Sequence, residues 1–377
     1  MARKTVERNI AFDDVRNCYY VHLHQGTNSE GKRIRCYRTY PTLAAARAGL
    51  KEFIILKSQH RLPPCRDQTL NQWLDYWMEH IVRPNRAETT VYAYEKIISN
   101  HISPHLGGLA LSKLSPKWIQ EYYHLMSEQG LSSNTIRRHH ALLSAALRCA
   151  VRQEQLSVSP IERVEPPRAQ IQETAFYDRE QMRQLFLLVE GHWLELAVKI
   201  AGGMGLRREE LCGLRWDCVD FERRLLHIRA ARTACGARVI QKETKNRASM
   251  RTLFLPEDVF RLLLKEQHRQ QLQHAIKGSD YAASGYVILD RNGHPYSPNA
   301  LSLAFSRFIQ ASGLPPLTLH GLRHSFATVA CAQGAPLFDI GKALGHSTPS
   351  TTGRIYTHLV DRTHADTLKR VSDALLG

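Results

Sequence analysis

Leu319-His320-Gly321-Leu322-Arg323-His324-Ser325-Phe326 follows Pro315-Pro316 and precedes Gly334, so it opens a bounded helix. Leu322, Phe326 and Val329 form its apolar face. His320 and Arg323 stand three apart and project together from another face. A histidine held beside an arginine does not suit an apolar core, whereas an anion between the two satisfies both.

Three other stretches carry polar residues that a core does not need. In Gly202-Gly203-Met204-Gly205-Leu206-Arg207-Arg208-Glu209-Glu210-Leu211, glycines end one helix and another begins near Arg207. There Arg207 and Glu210 share a face, while Leu211, Leu214 and Trp216 turn inward. Glu243-Thr244-Lys245-Asn246-Arg247 reads as a β-turn presenting a lysine. Leu344-Gly345-His346-Ser347 is followed, ten residues after His346, by Tyr356. Each stretch alone is an ordinary surface pair, a solvated charge or a packing residue. Together, two arginines, a lysine and two histidines make a site for a phosphoryl group. Arginine forks engage two phosphate oxygens, and a tyrosine hydroxyl attacks phosphorus when cations stabilise the phenolate. No carboxylate cluster accompanies them, which disfavours a two-metal nuclease and predicts no metal and no cofactor.

This ordered set resembles the tyrosine recombinases, the integrase family of phages and conjugative elements. The resemblance covers residues 172–377 specifically, extends more weakly over 67–165, and is loose at the N-terminus. It implies that Arg207 and Arg323 clamp the scissile phosphate, that Tyr356 is the nucleophile and that Lys245 protonates the leaving 5′ oxygen. It further implies that His320 assists proton transfer, that His346 adds a phosphate hydrogen bond and that Glu210 orients the first arginine or a histidine. Met204-Gly205 departs from the Thr-Gly common in the family, a difference expected to touch local packing.

The charge is distributed to match. The 377 residues carry 51 Lys and Arg against 35 Asp and Glu, a net +16. Residues 1–66 alone hold +8. This concentration predicts a dedicated polyanion-binding module, with nucleic acid the leading partner. In it, Cys18 to His24 and Arg33 to Tyr40 read as strands, Ile10 to Phe12 as a short third strand, and Leu43 to Ser58 as a helix. Arg33, Arg35 and Arg38 are its candidate DNA contacts, on an open face both basic and aromatic. Leu62-Pro63-Pro64-Cys65-Arg66 is a linker signal. Helices are then expected at Leu70–Ile81, Thr89–Ile102, Ser115–Gln129 and Ser132–Gln153, with Thr89, Ser115 and Ser132 or Ser133 as their N-caps and a turn-rich connector from His101 to Leu114. The last helix carries Arg137, Arg138, His139, His140, Arg148 and Arg152, either a phosphate-facing stripe or a solvated face; Arg137, Arg138 and His140 are the candidate contacts. Beyond a second proline-rich boundary near Pro166-Pro167, helices are expected at Asp178–Glu190 and Trp193–Ile200, then a β-meander over Glu222–Leu255.

The expected fold class is therefore α+β and mostly helical: an arm-type β-sheet-plus-helix module (1–62), a helical core-binding domain (67–165) and a mixed α/β catalytic domain with a short antiparallel sheet (172–377). No apolar run is long enough to span a membrane, and nothing after Met1 looks like a signal peptide. The expectation is a cytoplasmic protein whose eight cysteines, with no C-x-x-C among them, are reduced. The reading is a site-specific recombinase integrating and excising a mobile element. Its partners would be double-stranded core and arm sites, a homotetramer on DNA and, as the resemblance allows, a directionality factor and a host DNA-bending protein. The rivals are a chromosome-dimer-resolving recombinase, a type IB topoisomerase and a catalytically silent regulator. Module 1–66 argues against the first, and intact catalytic positions against the last.

Overall fold

The computed structural model describes residues 4–27, 33–58, 68–170, 175–243, 250–345 and 372–375. The chain forms two compact units, Met1–Ile171 and Gln172–Gly377.

The first unit has two hydrophobic cores. One lies beneath an antiparallel sheet of order β1 (Lys4–Glu7), β2 (Ile10–Asp13), β3 (Cys18–Thr27) and β4 (Arg33–Tyr40). Alternation along β2 and β3 buries Ile10, Val21 and Leu23 against Ala46 and Phe53 of α1 (Leu43–Ser58). The edge strand β1 was not foreseen: four mostly exposed residues leave no apolar pattern. Arg38 pairs with buried Val21, so it belongs to the face that α1 covers rather than to the open face expected. Tyr37 pairs with His22 on the open side, beside Tyr20. Arg33 and Arg35 lie in β4, but their side chains fall outside the described residues, as does the linker at 62–66.

The second core is helical. Leu70, Trp73, Leu74 and Trp77 face inward from α2 (Leu70–Trp77), whose Thr69 and Gln72 close a capping box. A π turn, Met78–Val82, leads into the short α3 (Arg83–Asn85), which contains Pro84. The pattern repeats: α4 (Glu88–Ile97), a π turn Ile98–Ile102, then α5 (Ser103–Leu106) with Pro104. α4 starts before Thr89, which is not its cap; Ala87 holds that place without a side-chain bond, and Glu88 faces the positive helix end. The helical turns at 98–106 shorten the expected connector to the stretch after Leu106. α6 (Pro116–Glu128) and α7 (Ser133–Arg152) are capped by Ser115 and Ser132, as their sequences predict. Trp73 Nε1 donates to the Ala146 carbonyl at 3.0 Å, pinning α2 to α7.

The second unit surrounds one large core, with two smaller apolar clusters beside it. α8 (Arg179–Leu188) packs on α9 (Glu195–Met204) so closely that a Cβ on Gly202 would lie 2.7 Å from Met182 Cε. Gly202 and Gly203 therefore sit inside α9, which ends only at Gly205, in the left-handed region at φ 70. α10 (Arg208–Cys212) follows. The expected meander is two separate sheets. β5 (Val219–Asp220), β6 (Leu225–Ile228) and β9 (Arg251–Phe254) form one; β7 (Ala230–Cys235) and β8 (Arg238–Glu243) form a hairpin that leaves and returns. α11 (Glu257–Lys277), α12 (Pro298–Ser312), α13 (Leu319–Ala332) and α14 (Leu337–Leu344) complete the unit. Near the C-terminus, residues 372–375 are described; they are helical and exposed. Cys149, Cys212, Cys218 and Cys331 are buried free thiols.

Candidate active site

Glu210 is 3% exposed, a carboxylate inside the protein, where an unpaired charge would be untenable. It is paired twice. Arg207, at the N-cap of α10, donates its backbone N–H to Oε2 at 2.9 Å and its Nη1 to Oε1 at 2.8 Å. Arg251, the first residue of β9, donates Nη1 to Oε1 at 2.9 Å and Nη2 to Oε2 at 2.8 Å, a two-pronged fork. Burial pushes the Glu210 carboxyl up, but the two arginines, Arg251 foremost, outweigh it and hold it below the ordinary range.

The arginines also share a second set of partners. Arg251 Nε donates to the carbonyl of Ala343 at 2.6 Å. Arg323 Nη2 donates to that of Leu344 at 2.7 Å, and Arg207 Nη2 to that of Gly345 at 3.0 Å. Three successive carbonyls at the negative end of α14 thus each accept from a different arginine. Arg323, 4% exposed, also donates Nη1 to the Gly205 carbonyl at 2.7 Å, across the turn that ends α9. The expected pairing of Arg207 with Glu210, and the approach of both to Arg323, are present. Arg323 is buried rather than projecting from an open face.

Helix α13 carries His320 and Arg323. It is capped by Thr318, and Ser325 Oγ accepts the Tyr177 N–H at 2.8 Å, fixing the strand-like entry to α8. Burial first, then the positive Arg323, pushes the His320 imidazole below its usual range. His324 meets it edge-on at 4.8 Å and is lowered to about 4 by burial and by His320 and Arg323. Burial and the neighbouring positive charge thus favour the neutral form of both imidazoles. Arg208 is occupied by Glu209 and by Ser302 Oγ at 3.1 Å. The site's described charges are Arg207, Arg251 and Arg323 against Glu210, with Arg208 and Glu209 paired beside them, a surplus suited to an anion. Arg207, 31% exposed, is its accessible member. Lys245, His346 and Tyr356 lie outside the described residues. Among those described, no cluster of His, Cys, Asp or Glu could hold a metal ion, and no helix is long and apolar enough to cross a membrane.

Arg251 was missed in the sequence because Arg251-Thr252-Leu253-Phe254 reads as an edge strand with an outward arginine. In the helical unit, His139 leaves the expected basic stripe altogether: it is fully buried, its Nδ1 2.8 Å from the Tyr122 hydroxyl. His140 Nδ1 meets the Tyr123 hydroxyl at 3.0 Å, Arg137 Nη1 donates to the Pro167 carbonyl at 3.0 Å, and Arg138 is exposed.

Residues 176–362 match the model of the phage integrase family, and residues 69–127 that of the phage integrase N-terminal SAM-like domain. A tyrosine recombinase XerC-like protein of Caldanaerobacter subterraneus subsp. tengcongensis is 27% identical over 95% of this chain and 96% of its own. The ICEBs1 integrase of Bacillus subtilis is 23% identical over 78% of this chain and 79% of its own. Among solved structures, the Tn1549 transposon integrase in complex with transposon right-end DNA has a TM-score of 0.68 at 21% identity, covering 82% of this chain and all of that one. A lambda integrase tetramer bound to a Holliday junction has a TM-score of 0.57 at 18% identity, covering 92% and 97%.

Proposed function

We infer the role of this protein from one premise: the chain belongs to the phage integrase family of tyrosine recombinases, enzymes that cut and rejoin DNA. The reading is an integrase that inserts and excises a mobile element at specific sites. Convergence of Arg207 and Arg323 on one end of α14, from positions far apart in the sequence, supports it most directly. Two guanidiniums held by the protein offer charge and direction to a phosphodiester before it arrives.

In this reading the Tyr356 oxygen attacks phosphorus and the bond to the 5′ oxygen breaks. A proton from Lys245 leaves with that oxygen, and the 3′ strand stays on the enzyme as a phosphotyrosine. His320, its neutral form favoured, is able to accept the phenolic proton. Arg207 and Arg323 stabilise charge on the non-bridging oxygens, His346 adds a hydrogen bond, and Glu210 orients Arg207. Rejoining reverses the sequence with a 5′ hydroxyl from the partner duplex. Phosphodiester energy is conserved, so neither ATP nor a metal ion is called upon.

Three functional segments divide the work: an arm-binding module (1–62), a core-binding domain (67–165) and the catalytic domain (172–377). Arg33 and Arg35 serve arm DNA, and Arg137, Arg138 and His140 serve core DNA. The strongly basic 1–66 segment favours an integrase, with separate arm sites, over a chromosome-dimer resolvase. Four protomers would act together in the cytoplasm, with a directionality factor and a DNA-bending protein as accessory partners. The test uses the DNA junction flanking the gene. Wild-type protein should form a covalent adduct in EDTA, and Tyr356→Phe should bind the same DNA without any adduct. Adduct surviving in Tyr356→Phe would place the nucleophile elsewhere.

A further inference from the structure

We infer that Arg251 is a positioning residue for strand cleavage: through Glu210 it sets the Arg207 guanidinium, and through the Ala343 carbonyl it fixes the end of α14 on which Arg207 and Arg323 are laid. The inference rests on the reading of this site as a phosphate-binding centre.

Three guanidiniums gathered in a small volume repel one another, so their arrangement needs a counter-charge. Glu210 is the carboxylate that hydrogen-bonds to two of them, and its oxygens are shared. Oε1 accepts one hydrogen bond from Arg207 and one from Arg251; Oε2 accepts the Arg207 backbone N–H and the second prong of Arg251. Because Arg251 occupies both oxygens, the Arg207 guanidinium meets the carboxylate through Nη1 alone and turns Nη2 to Gly345. Without Arg251, the carboxylate would be open to a two-pronged grip by Arg207, which would draw that guanidinium inward.

Arg251 is 6% exposed, so its place is set by protein partners rather than by solvent. Its Nε bond to Ala343 ties β9 to α14. Gly345, the next-but-one residue, is followed in the chain by His346 and, ten residues later, Tyr356. One side chain therefore joins the carboxylate that orients Arg207 to the helix end that His346 and Tyr356 follow in the chain. A lysine cannot do this: one compact ammonium does not span two carboxylate oxygens and a carbonyl in a planar fork.

The experiment compares the full-length wild type, Arg251→Lys, Arg207→Ala and the double variant on the gene-flanking junction DNA. Binding affinity and the single-turnover cleavage rate at saturating DNA are read separately, the rate per DNA-bound molecule so that unfolded protein does not count. Arg251→Lys should bind within about threefold of wild type and cleave about 100-fold more slowly, the scale of a misplaced catalytic group. Added to Arg207→Ala, it should slow cleavage by much less than a further factor of about 100, because the route through Glu210 to Arg207 is already lost and only the tie to the α14 end remains. Wild-type cleavage by Arg251→Lys, or slowing that multiplies in the Arg207→Ala background, overturns the inference. Should Arg251→Lys not fold, Arg251→Gln gives the same comparison. Absence of adduct from the wild type would instead remove the functional reading itself.

Discussion

The Tyr122 hydroxyl and His139 Nδ1 lie 2.8 Å apart in the core of the helical domain, joining α6 to α7. His139 Nε2 is buried without a partner, and the His101 ring stands 5.0 Å away. Burial, then the neighbouring His101, lowers the His139 pKa from 6.5 to about 4. The unfolded chain thus binds a proton that the folded one refuses. Its contribution is complete above pH 6.5 and disappears as pH falls toward 4, a loss of up to about 3 kcal/mol. His139→Leu should reduce the acid dependence of the melting temperature. Parallel pH profiles for wild type and variant would show that His139 does not titrate this way.

Gly205 allows α9 to turn sharply into the arginine site. A Cβ there would sit 2.7 Å from both Leu344 Cδ2 and Phe326 Cδ1, at φ 70. Gly205→Ala should destabilise by about 2–4 kcal/mol, from left-handed strain plus overpacking. Because Gly205 also presents its carbonyl to Arg323, cleavage should fall more than DNA binding does. Thermal melting and adduct yield, measured on the same preparation, check this.

If Lys245 is the general acid, Lys245→Ala should cleave ordinary DNA slowly. A 5′-bridging sulfur leaves without a proton, so that substrate should largely restore the rate. Equal impairment on both substrates removes Lys245 from the role.

Residues 1–66 carry half the net charge, so deleting them should weaken binding to arm DNA and flatten its salt dependence, by about 0.9 in slope for each phosphate no longer neutralised. Cleavage of a core half-site should persist. An unchanged footprint on full attachment DNA would leave the module without a DNA role.

Leu368, Val371 and Leu375 are spaced as an apolar helical stripe, and Leu375 is 77% exposed. Truncation after Arg362 should spare binding to a single core site while reducing synaptic complexes on native gels. Normal synapsis would show that the tail does not join protomers.

Local chemistry made much of this legible. Ser115 and Ser132 cap the helices their positions announce, and the i, i+3 spacing of Arg207 and Glu210 places them together. Long-range pairing was not legible. β6 meets β9 only after the β7–β8 hairpin has left and returned, so no periodicity reveals that Arg251 reaches Glu210. His139 reads as polar beside Arg137 and Arg138, yet the turn of α7 points it at Tyr122. Gly202 and Gly203 look like a helix end, whereas Gly202 serves close packing inside α9.

The two π turns of the helical domain bear on descent. Each holds one residue more than an α turn and stands just ahead of a proline, Pro84 or Pro104. Proline lacks the N–H and clashes with the preceding turn, and the wider loop of backbone relieves both. Deleting the extra residue would restore an α turn and keep the residues downstream in register with the core, but it would return the proline to a turn it clashes with. Insertion and proline are thus bound to a common history. Where a homologue has lost one of these prolines, its helix should be one residue shorter at the same place.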